Sequence, residues 1–215
     1  SHKDGYRADI DIILEEHDHH YFYDAYDGYK IGYNVWESTE YSSQFFQQLL
    51  TLDELWVPTE WQKEISIKQG YPEDKIFVIP EGVDGNTFKP SSRPKKQGKF
   101  QFVIVGRWDY RKGIKESIRG FLEAFPDNPN VELVLNVENP YPVDGMQTTE
   151  ERLKHYGLED DRIKILKFLN RKQYISLLQN ANVIISCARA EGWNLPLIES
   201  LACGTPSIYT KCSGQ

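Results

Sequence analysis

The stretch "NVIISCARAEGWNLPLIESLACGTPSIYT" (Asn182–Thr210) decides the fold. Its first part, "NVIISCA", is a short apolar run typical of a strand that is buried on both faces. "NLPLIESLACG" predicts a helix that ends at a glycine, and "TPSIYT" predicts the next strand. Because the helix returns the chain to the starting edge of the sheet, the two strands are expected to be parallel.

The same alternation of strand and helix fills the second half of the chain. The apolar run "KFQFVIVG" (Lys99–Gly106), "NVELVLNV" and "DRIKILKFL" predict strands. Between and after them, "GIKESIRGFLEAF", "TTEERLKHYGL" and "RKQYISLLQNA" predict helices, the second with a cap near Thr148 and an end at Gly157. The expected fold class is therefore α/β, a Rossmann-like parallel sheet with helices on both faces.

The first half of the chain is also α/β but less regular. Strands are predicted at "ADIDIILEE", "YKIGYNVWEST", "DELWVPT" and "DKIFVIPEGVD", and helices at "SSQFFQQLLTL" and "EWQKEISIKQGY". The Pro-, Ser- and Lys-rich "FKPSSRPKKQGK" predicts an exposed linker, so we expect one domain over residues 1–90 and a second over residues 91–215. The first has few strands for a complete sheet, and the second lacks covering helices after its last strand. We therefore expect part of a larger two-domain protein.

Composition excludes some classes of function. The chain has 215 residues and a net charge of −7, and this acidity disfavours a nucleic-acid partner, which binds a basic face. No apolar run approaches the roughly 20 residues that span a bilayer. The three cysteines include no Cys-x-x-Cys pair, which favours a reducing compartment, and we expect a cytoplasmic protein.

Two cations follow a predicted buried strand in "GRWDYRKG" (Gly106–Gly113). Arg107 comes directly after the strand and Lys112 begins the next helix, at the edge where open α/β sheets bind ligands. The two side chains can converge on one diphosphate, Arg107 as a planar fork and Lys112 as a point charge. The alternative is a pair of solvated loop cations, the commoner state of these residues.

Two carboxylates bracket the start of the helix in "EGWNLPLIE". Glu191 lies between strand and helix and is expected to point into the same cleft, whereas Glu199 could accept two hydrogen bonds from a ribose. Asn194 is expected to cap the helix, and Pro196 suits its first turn. The amides of residues 192–195 would then form a positive pole for phosphate or sugar oxygens. Alternatively, Glu199 complements the helix dipole and Glu191 is solvated.

Together these stretches resemble one family over roughly residues 30–215. The chain is similar to the retaining GT-B glycosyltransferases of the large Glu-x7-Glu family, the glycosyl transferases of group 1 or family 4 type. The matching stretches are "EGWNLPLIE", "GRWDYRKG", "VIPEGVDGNTFKP", "ESLACGTPSI" and "IGYNVWESTE…DELWVPTEWQKE".

The resemblance implies a hexosyltransferase that uses a nucleotide-diphosphate sugar with retention of the anomeric configuration. Arg107 and Lys112 would bind the donor diphosphate and stabilise it as it leaves, and Glu191 would face the donor sugar near the reacting carbon. Glu199 would hold the ribose. The further donor-binding residues implied are Gly106, Phe168, Leu169, Gly192, Trp193, Asn194 and Leu195, and the backbone around Phe168 and Leu169 would flank the base.

The implied partners are the nucleotide sugar and an acceptor that is a glycan, a lipid-linked molecule or a small molecule. No metal cofactor is expected, because fixed cations take the place of a divalent ion. No nucleic acid is expected, and peripheral membrane association of a longer protein stays open. A different class is an alternative: a non-catalytic module that binds a nucleotide or a sugar phosphate.

Several features depart from this assignment or compete with it. Glu81 stands where the family more often has Asn, and the family's glycine-rich loop and acceptor-side histidine are not assigned. "EEHDHH" (Glu15–His20) lacks a zinc-type spacing and is read as a solvated cluster. "DID" (Asp9–Asp11) alternates with isoleucines as a strand edge does, which outweighs a metal-binding Asp-x-Asp. Trp36 is either a core residue or an acceptor contact, with Ser38 or Thr39 as the cap of the following helix.

Overall fold

The computed structural model describes residues 8–14, 28–92 and 98–215. Two compact units are present, and they are described separately. Unit 1 comprises Ser1–Gly82, Ala190–Trp193 and Cys212–Gln215, and unit 2 comprises Val83–Arg189 and Asn194–Lys211. The predicted domain boundary near residue 90 stays a prediction, and the histidine-rich stretch Glu15–His20 lies outside the described residues.

The described residues of unit 1 form a four-stranded parallel sheet in the order β1-β2-β3-β4. Its elements are β1 Ile10–Leu14, β2 Tyr29–Tyr33, α1 Ser43–Leu49, β3 Glu54–Val57, α2 Glu60–Gln69, a 3-10 turn Glu73–Lys75 and β4 Ile76–Val78. The predicted "DID" falls at the start of β1, as expected for a strand. The predicted strand beginning at Tyr29 is shorter than expected, because β2 ends at Tyr33.

Local capping explains where the helices of unit 1 begin and end. The Ser42 side chain accepts a hydrogen bond from the amide of Phe45, so the cap of α1 is Ser42 and not Ser38 or Thr39. The side chain of Thr59 caps α2, which ends at Gly70 with a φ of 109°. A left-handed residue at this position is favoured as glycine because a Cβ would be strained there.

The aromatic residues that precede α1 belong to the core of unit 1. Trp36 packs on Tyr41 and Phe45, with ring centroids 4.7 and 5.4 Å away. Tyr41 and Phe45 are themselves buried among the apolar residues of α1 and β3. The structure therefore supports the prediction that Trp36 packs on the core, and its contact with an acceptor stays a prediction.

In unit 2, the part of the chain that the structure describes forms a five-stranded parallel sheet in the order β7-β6-β5-β8-β9. Its elements are β5 Phe100–Val105, α3 Ile114–Ala124, β6 Val131–Asn136, α4 Thr149–His155, β7 Ile163–Ile165, α5 Arg171–Asn180, β8 Val183–Ser186, α6 Leu195–Ala202 and β9 Ser207–Tyr209. The predicted alternation of strand and helix is confirmed throughout. The strand predicted over "DRIKILKFL" is shorter than expected, since β7 ends at Ile165.

The sheet of unit 2 is buried on both faces, as the continuous apolar runs predict. Along β5, Phe102 and Ile104 pack into one cluster with Ile118 of α3. The intervening Val103 packs into a second cluster with Leu178 of α5. This alternation places helices over both faces of the sheet, which is the expected α/β arrangement.

The strand order creates one position suited to a ligand. From β5 the chain adds β6 and β7 on one side, and then β8 and β9 on the other. The direction of winding therefore changes between β5 and β8. In open parallel sheets, ligands bind outside the carboxyl ends of the strands at such a point. None of the helices among the described residues is long and apolar enough to cross a membrane.

Candidate functional site

The loop after β5 carries the two residues predicted to bind a diphosphate, and Asp109 bonds to the backbone of one and the side chain of the other. Asp109 Oδ1 accepts a hydrogen bond of 2.8 Å from the amide of Lys112, and its Oδ2 lies 3.4 Å from Arg107 Nε. The side chain of Arg107 is 53% exposed, so it remains accessible to a ligand. Gly106 has a φ of 128°, and a Cβ there would contact the Lys112 side chain at 3.8 Å.

A second set of contacts joins this loop to the loop that follows β8. The amide of Arg189 donates a 2.7 Å hydrogen bond to the carbonyl of Arg111, and its Nη1 donates one of 2.6 Å to the carbonyl of Tyr110. Gly113 has a φ of 61°, and a Cβ there would lie 2.3 Å from the carbonyl oxygen of Cys187. The two loops therefore pack directly against each other across the switch point of unit 2.

Helix α6 begins at this same edge of the sheet. Asn194 occupies the N-cap position, but its side chain makes no capping bond and instead donates a 2.9 Å hydrogen bond to Ser186 Oγ. The prediction of a side-chain cap was wrong, because Asn194 has a φ of 73° and its amide group bonds to the end of β8. The next residue, Leu195, is exposed, and Pro196 lies in the first turn as predicted.

Glu199 lies on α6 and is held by a tyrosine of α5. The phenol of Tyr174 donates a 2.6 Å hydrogen bond to Glu199 Oε2. Burial and this bond to a carboxylate raise the pKa of Tyr174 well above its usual range, so the phenol stays a neutral donor. Sequence reasoning did not find Tyr174, because it is 25 residues from Glu199 in a different helix.

The end of β7 presents an aromatic side chain at the same edge of the sheet. Phe168 is 88% exposed, although large apolar side chains are usually covered, and Leu169 beside it is partly buried. Both lie in the connection between β7 and α5. An uncovered ring here is available to stack on a planar ligand.

The predicted residues Glu191, Gly192 and Trp193 belong to unit 1. Glu191 is 3% exposed; its amide donates a 2.8 Å hydrogen bond to Ser213 Oγ, and its carbonyl accepts one of 2.8 Å from Gly214. A Cβ on Gly192 would lie 2.2 Å from a side-chain carbon of Val35, which explains why this position is a glycine. The function of Glu191 with the cations of unit 2 stays a prediction.

The junction residue Glu81 lies in unit 1 near Tyr33. Burial raises the pKa of Glu81, and burial together with the charge of Glu81 raises the pKa of Tyr33 to about 12. The phenol of Tyr33 donates a 2.9 Å hydrogen bond to the carbonyl of Ile79. Over the described parts of the chain, no group of three or more His, Cys, Asp or Glu side chains is placed to hold a metal ion.

Eight of the predicted residues thus lie in unit 2 at the carboxyl edge of its sheet, after β5, β7 and β8 or on α6. They are Gly106, Arg107, Lys112, Phe168, Leu169, Asn194, Leu195 and Glu199. Cations, a helix N-terminus and a carboxylate thus lie around the switch point of a parallel α/β sheet, which is where open sheets of this class bind their ligands. The family described as glycosyl transferases group 1 matches residues 86–215, and the chain belongs to this family.

Curated relatives and solved structures agree with this family. The chain is 26% identical to a component of the phosphatidylinositol N-acetylglucosaminyltransferase of Arabidopsis thaliana over 69% of its own length and 32% of that protein. It is 31% identical to a probable sucrose-phosphate synthase of Thermosipho melanesiensis, over 67% and 34% of the two chains. The chain spans about a third of the length of these relatives.

Two solved structures show the same fold. Sucrose-phosphate synthase from Thermosynechococcus elongatus superposes with a TM-score of 0.74 and 19% identity, covering 99% of this chain and 58% of that one. HepE of Anabaena, solved in complex with UDP and glucose, has a TM-score of 0.74 and 16% identity, covering 95% and 60%. The expected GT-B type α/β fold class is therefore confirmed.

Proposed function

We propose that this protein transfers a hexose from a nucleotide-diphosphate sugar to an acceptor with retention of the anomeric configuration. The observation that carries the proposal is that Arg107 and Lys112 lie in one loop after β5, at the switch point of unit 2, with Arg107 exposed and the Lys112 side chain beside Gly106. Membership of the group 1 family supports it independently. The domains over residues 1–90 and 91–215 would be the acceptor-side and donor-side parts.

The proposed donor diphosphate lies across the carboxyl ends of β5 and β8. Arg107 binds it with two parallel N–H groups, Lys112 contributes a point charge, and the N-terminus of α6 adds a partial positive charge. When the sugar leaves, the bonding electrons stay on the diphosphate. Fixed positive groups stabilise this charge, and for this reason we propose no metal cofactor.

The nucleoside is held at its two ends in this proposal. Glu199 accepts hydrogen bonds from the ribose hydroxyls, and the exposed ring of Phe168 stacks against the base, with Leu169 beside it. Glu191, with Gly192 and Trp193, faces the donor sugar, as the resemblance implies. The acceptor oxygen bonds to the anomeric carbon on the face that the diphosphate leaves, and its proton passes to an oxygen of the departing diphosphate.

The partners follow from the same site. A nucleotide sugar is the donor, and UDP is the first candidate nucleotide because HepE was solved with it. The acceptor class stays open between a glycan, a lipid-linked molecule and a small molecule. A cytoplasmic location is part of the proposal, and its support is that Cys187, Cys203 and Cys212 form no disulfide.

Isothermal titration calorimetry with UDP, GDP and ADP tests the proposed function. We expect one of the three to bind, and Arg107→Ala to weaken its binding by about tenfold or more, since a charge-assisted bidentate contact is lost. Arg119→Ala is the matched control, because Arg119 is an exposed arginine of the same unit on α3. Absence of heat with all three at millimolar concentration contradicts the proposal. Release of the sugar from the corresponding donor distinguishes an enzyme from a binding module.

A further inference from the structure

The phenol of Tyr174 makes the hydrogen bond that orients the proposed ribose-binding carboxylate. It donates to Glu199 Oε2 over 2.6 Å, a short distance typical of a bond from a hydroxyl to a charged acceptor. The bond occupies one oxygen, and the carboxylate retains acceptor capacity at Oε1. Two hydroxyls of a ribose can be received only if the carboxylate is held in one rotamer, since an exposed glutamate samples several.

Tyr174 is itself fixed by packing within unit 2. It packs against the buried cluster that contains Phe88, Leu178 and Cys203, so its ring is held between α5 and α6. Phe88 meets the Tyr174 ring edge-on, with centroids 6.3 Å apart. The guanidinium of Arg171, one turn earlier on α5, lies over the Phe88 ring, with its Cζ 5.1 Å from the ring centroid. The phenol is therefore fixed in place and can hold the Glu199 carboxylate in one orientation.

We propose that Tyr174 is a positioning residue of the nucleotide site, which holds Glu199 in the rotamer that accepts the ribose hydroxyls. The inference rests on the proposed function. Tyr174 does not contact the ligand in this proposal. A substitution of Tyr174 therefore changes ligand binding only through Glu199. A substitution of Tyr174 should weaken the binding of ligands that carry ribose hydroxyls. The binding of ligands without these hydroxyls should be unaffected.

Calorimetry with paired nucleotides tests this inference. The probes are whichever of UDP, GDP and ADP binds the wild type most tightly and its 2′,3′-dideoxy counterpart. Tyr174→Phe is expected to weaken the ribose form about three- to tenfold, the value of one hydrogen bond, and to leave the dideoxy form within about twofold. Because the two residues act as one unit, adding Tyr174→Phe to Glu199→Gln should weaken binding no further than Glu199→Gln alone.

Tyr29→Phe is the matched control. The Tyr29 phenol also donates to a glutamate, Glu54 Oε1, over 3.0 Å, but this pair lies in unit 1. Its loss should leave both affinities unchanged, and circular dichroism checks that each variant is folded. Equal weakening of ribose and dideoxy ligands by Tyr174→Phe, or no weakening of either, overturns the inference alone. Failure of the wild type to bind any diphosphate overturns the proposed function, and this inference with it.

Discussion

Asp109 shows how a single side chain shapes the candidate site. It is the acid within "GRWDYRKG", and it receives the amide of Lys112 and the guanidinium of Arg107. A diphosphate that binds here would compete with Asp109 for Arg107. The diphosphate can displace Asp109, because an exposed ion pair is weak. Asp109 thus holds the loop in shape without preventing Arg107 from reaching a ligand.

Gly113 gives a prediction at the scale of a single residue. Gly113→Ala is expected to lower the free energy of unfolding by more than about 1 kcal/mol, because alanine is strained at a φ of 61° and its Cβ would lie 2.3 Å from the Cys187 carbonyl oxygen. Diphosphate binding should weaken in parallel, since the loop of Arg107 must move. Urea unfolding and calorimetry measure the two effects.

The control for this prediction is Gly120→Ala on α3. Gly120 has no neighbouring atom within 4 Å of an added Cβ, and alanine favours a helix by about 0.5–1 kcal/mol. The control variant should therefore be at least as stable as the wild type. Equal stability of the Gly113 and Gly120 variants would contradict the close packing of the two loops.

At the scale of an element, the buried side-chain amide of Gln62 holds α2 to the rest of unit 1. Its Nε2 donates to two oxygens of Asn34 and to the phenol of Tyr41, and its Oε1 accepts from the amide of Trp36, all within 3.0–3.1 Å. Gln62→Leu removes these bonds and leaves the polar groups that bonded to Gln62 buried without it. The free energy of unfolding, measured in urea, should therefore fall by about 2–4 kcal/mol.

The matched control for α2 is Gln47→Leu on α1. Gln47 is exposed, so this variant should change the free energy of unfolding by less than about 0.5 kcal/mol. If the two variants were equally stable, the amide network would not be what holds α2 to the segment between β2 and α1.

The connection from α4 to β7 gives a pH-dependent prediction. The carboxylate of Asp160 accepts hydrogen bonds from the amide and the guanidinium of Arg162, which also donates to the carbonyl of Phe125. These bonds lower the pKa of Asp160 in the folded state. Its stabilising contribution is therefore present above the ordinary aspartate pKa and is lost as the pH falls through the lower folded value.

Asp160→Asn should accordingly destabilise the protein by about 1 kcal/mol at pH 7. The difference from the wild type should disappear in urea unfolding at a pH below the folded pKa of Asp160. Asp161→Asn, at the adjacent exposed position, is the control and should show no such dependence. A deficit of the Asp160 variant that stays constant down to acid pH would contradict this assignment.

Elements set by local chemistry were predictable from the sequence, and long-range contacts were not. The capping box between Thr148 and Glu151 and the glycine end at Gly157 follow from local spacing, and both are confirmed. The side chain of Asn194 was assigned wrongly, because its bond to Ser186 depends on a left-handed backbone that the sequence does not specify. The bond between Tyr174 and Glu199 joins two helices, and no periodicity reports it.

At the scale of the whole molecule, the account predicts that diphosphate binding stabilises unit 2. A ligand at one hundred times its Kd should raise the free energy of opening of the β5 and β8 amides by about 2.7 kcal/mol in hydrogen exchange. Arg107→Ala, if its Kd is tenfold higher, should reduce the gain to about 1.4 kcal/mol at the same concentration. Unchanged exchange in β5 and β8 with saturating ligand would contradict a site at their carboxyl ends.

The central claim is that a nucleoside diphosphate binds at the switch point of unit 2. A crystal structure of the chain soaked with the tightest-binding of UDP, GDP and ADP tests it most directly. The account predicts the diphosphate within hydrogen-bond distance of Arg107 and Lys112, and the ribose within that distance of Glu199. A nucleotide bound elsewhere, with these three side chains out of its reach, would contradict the claim.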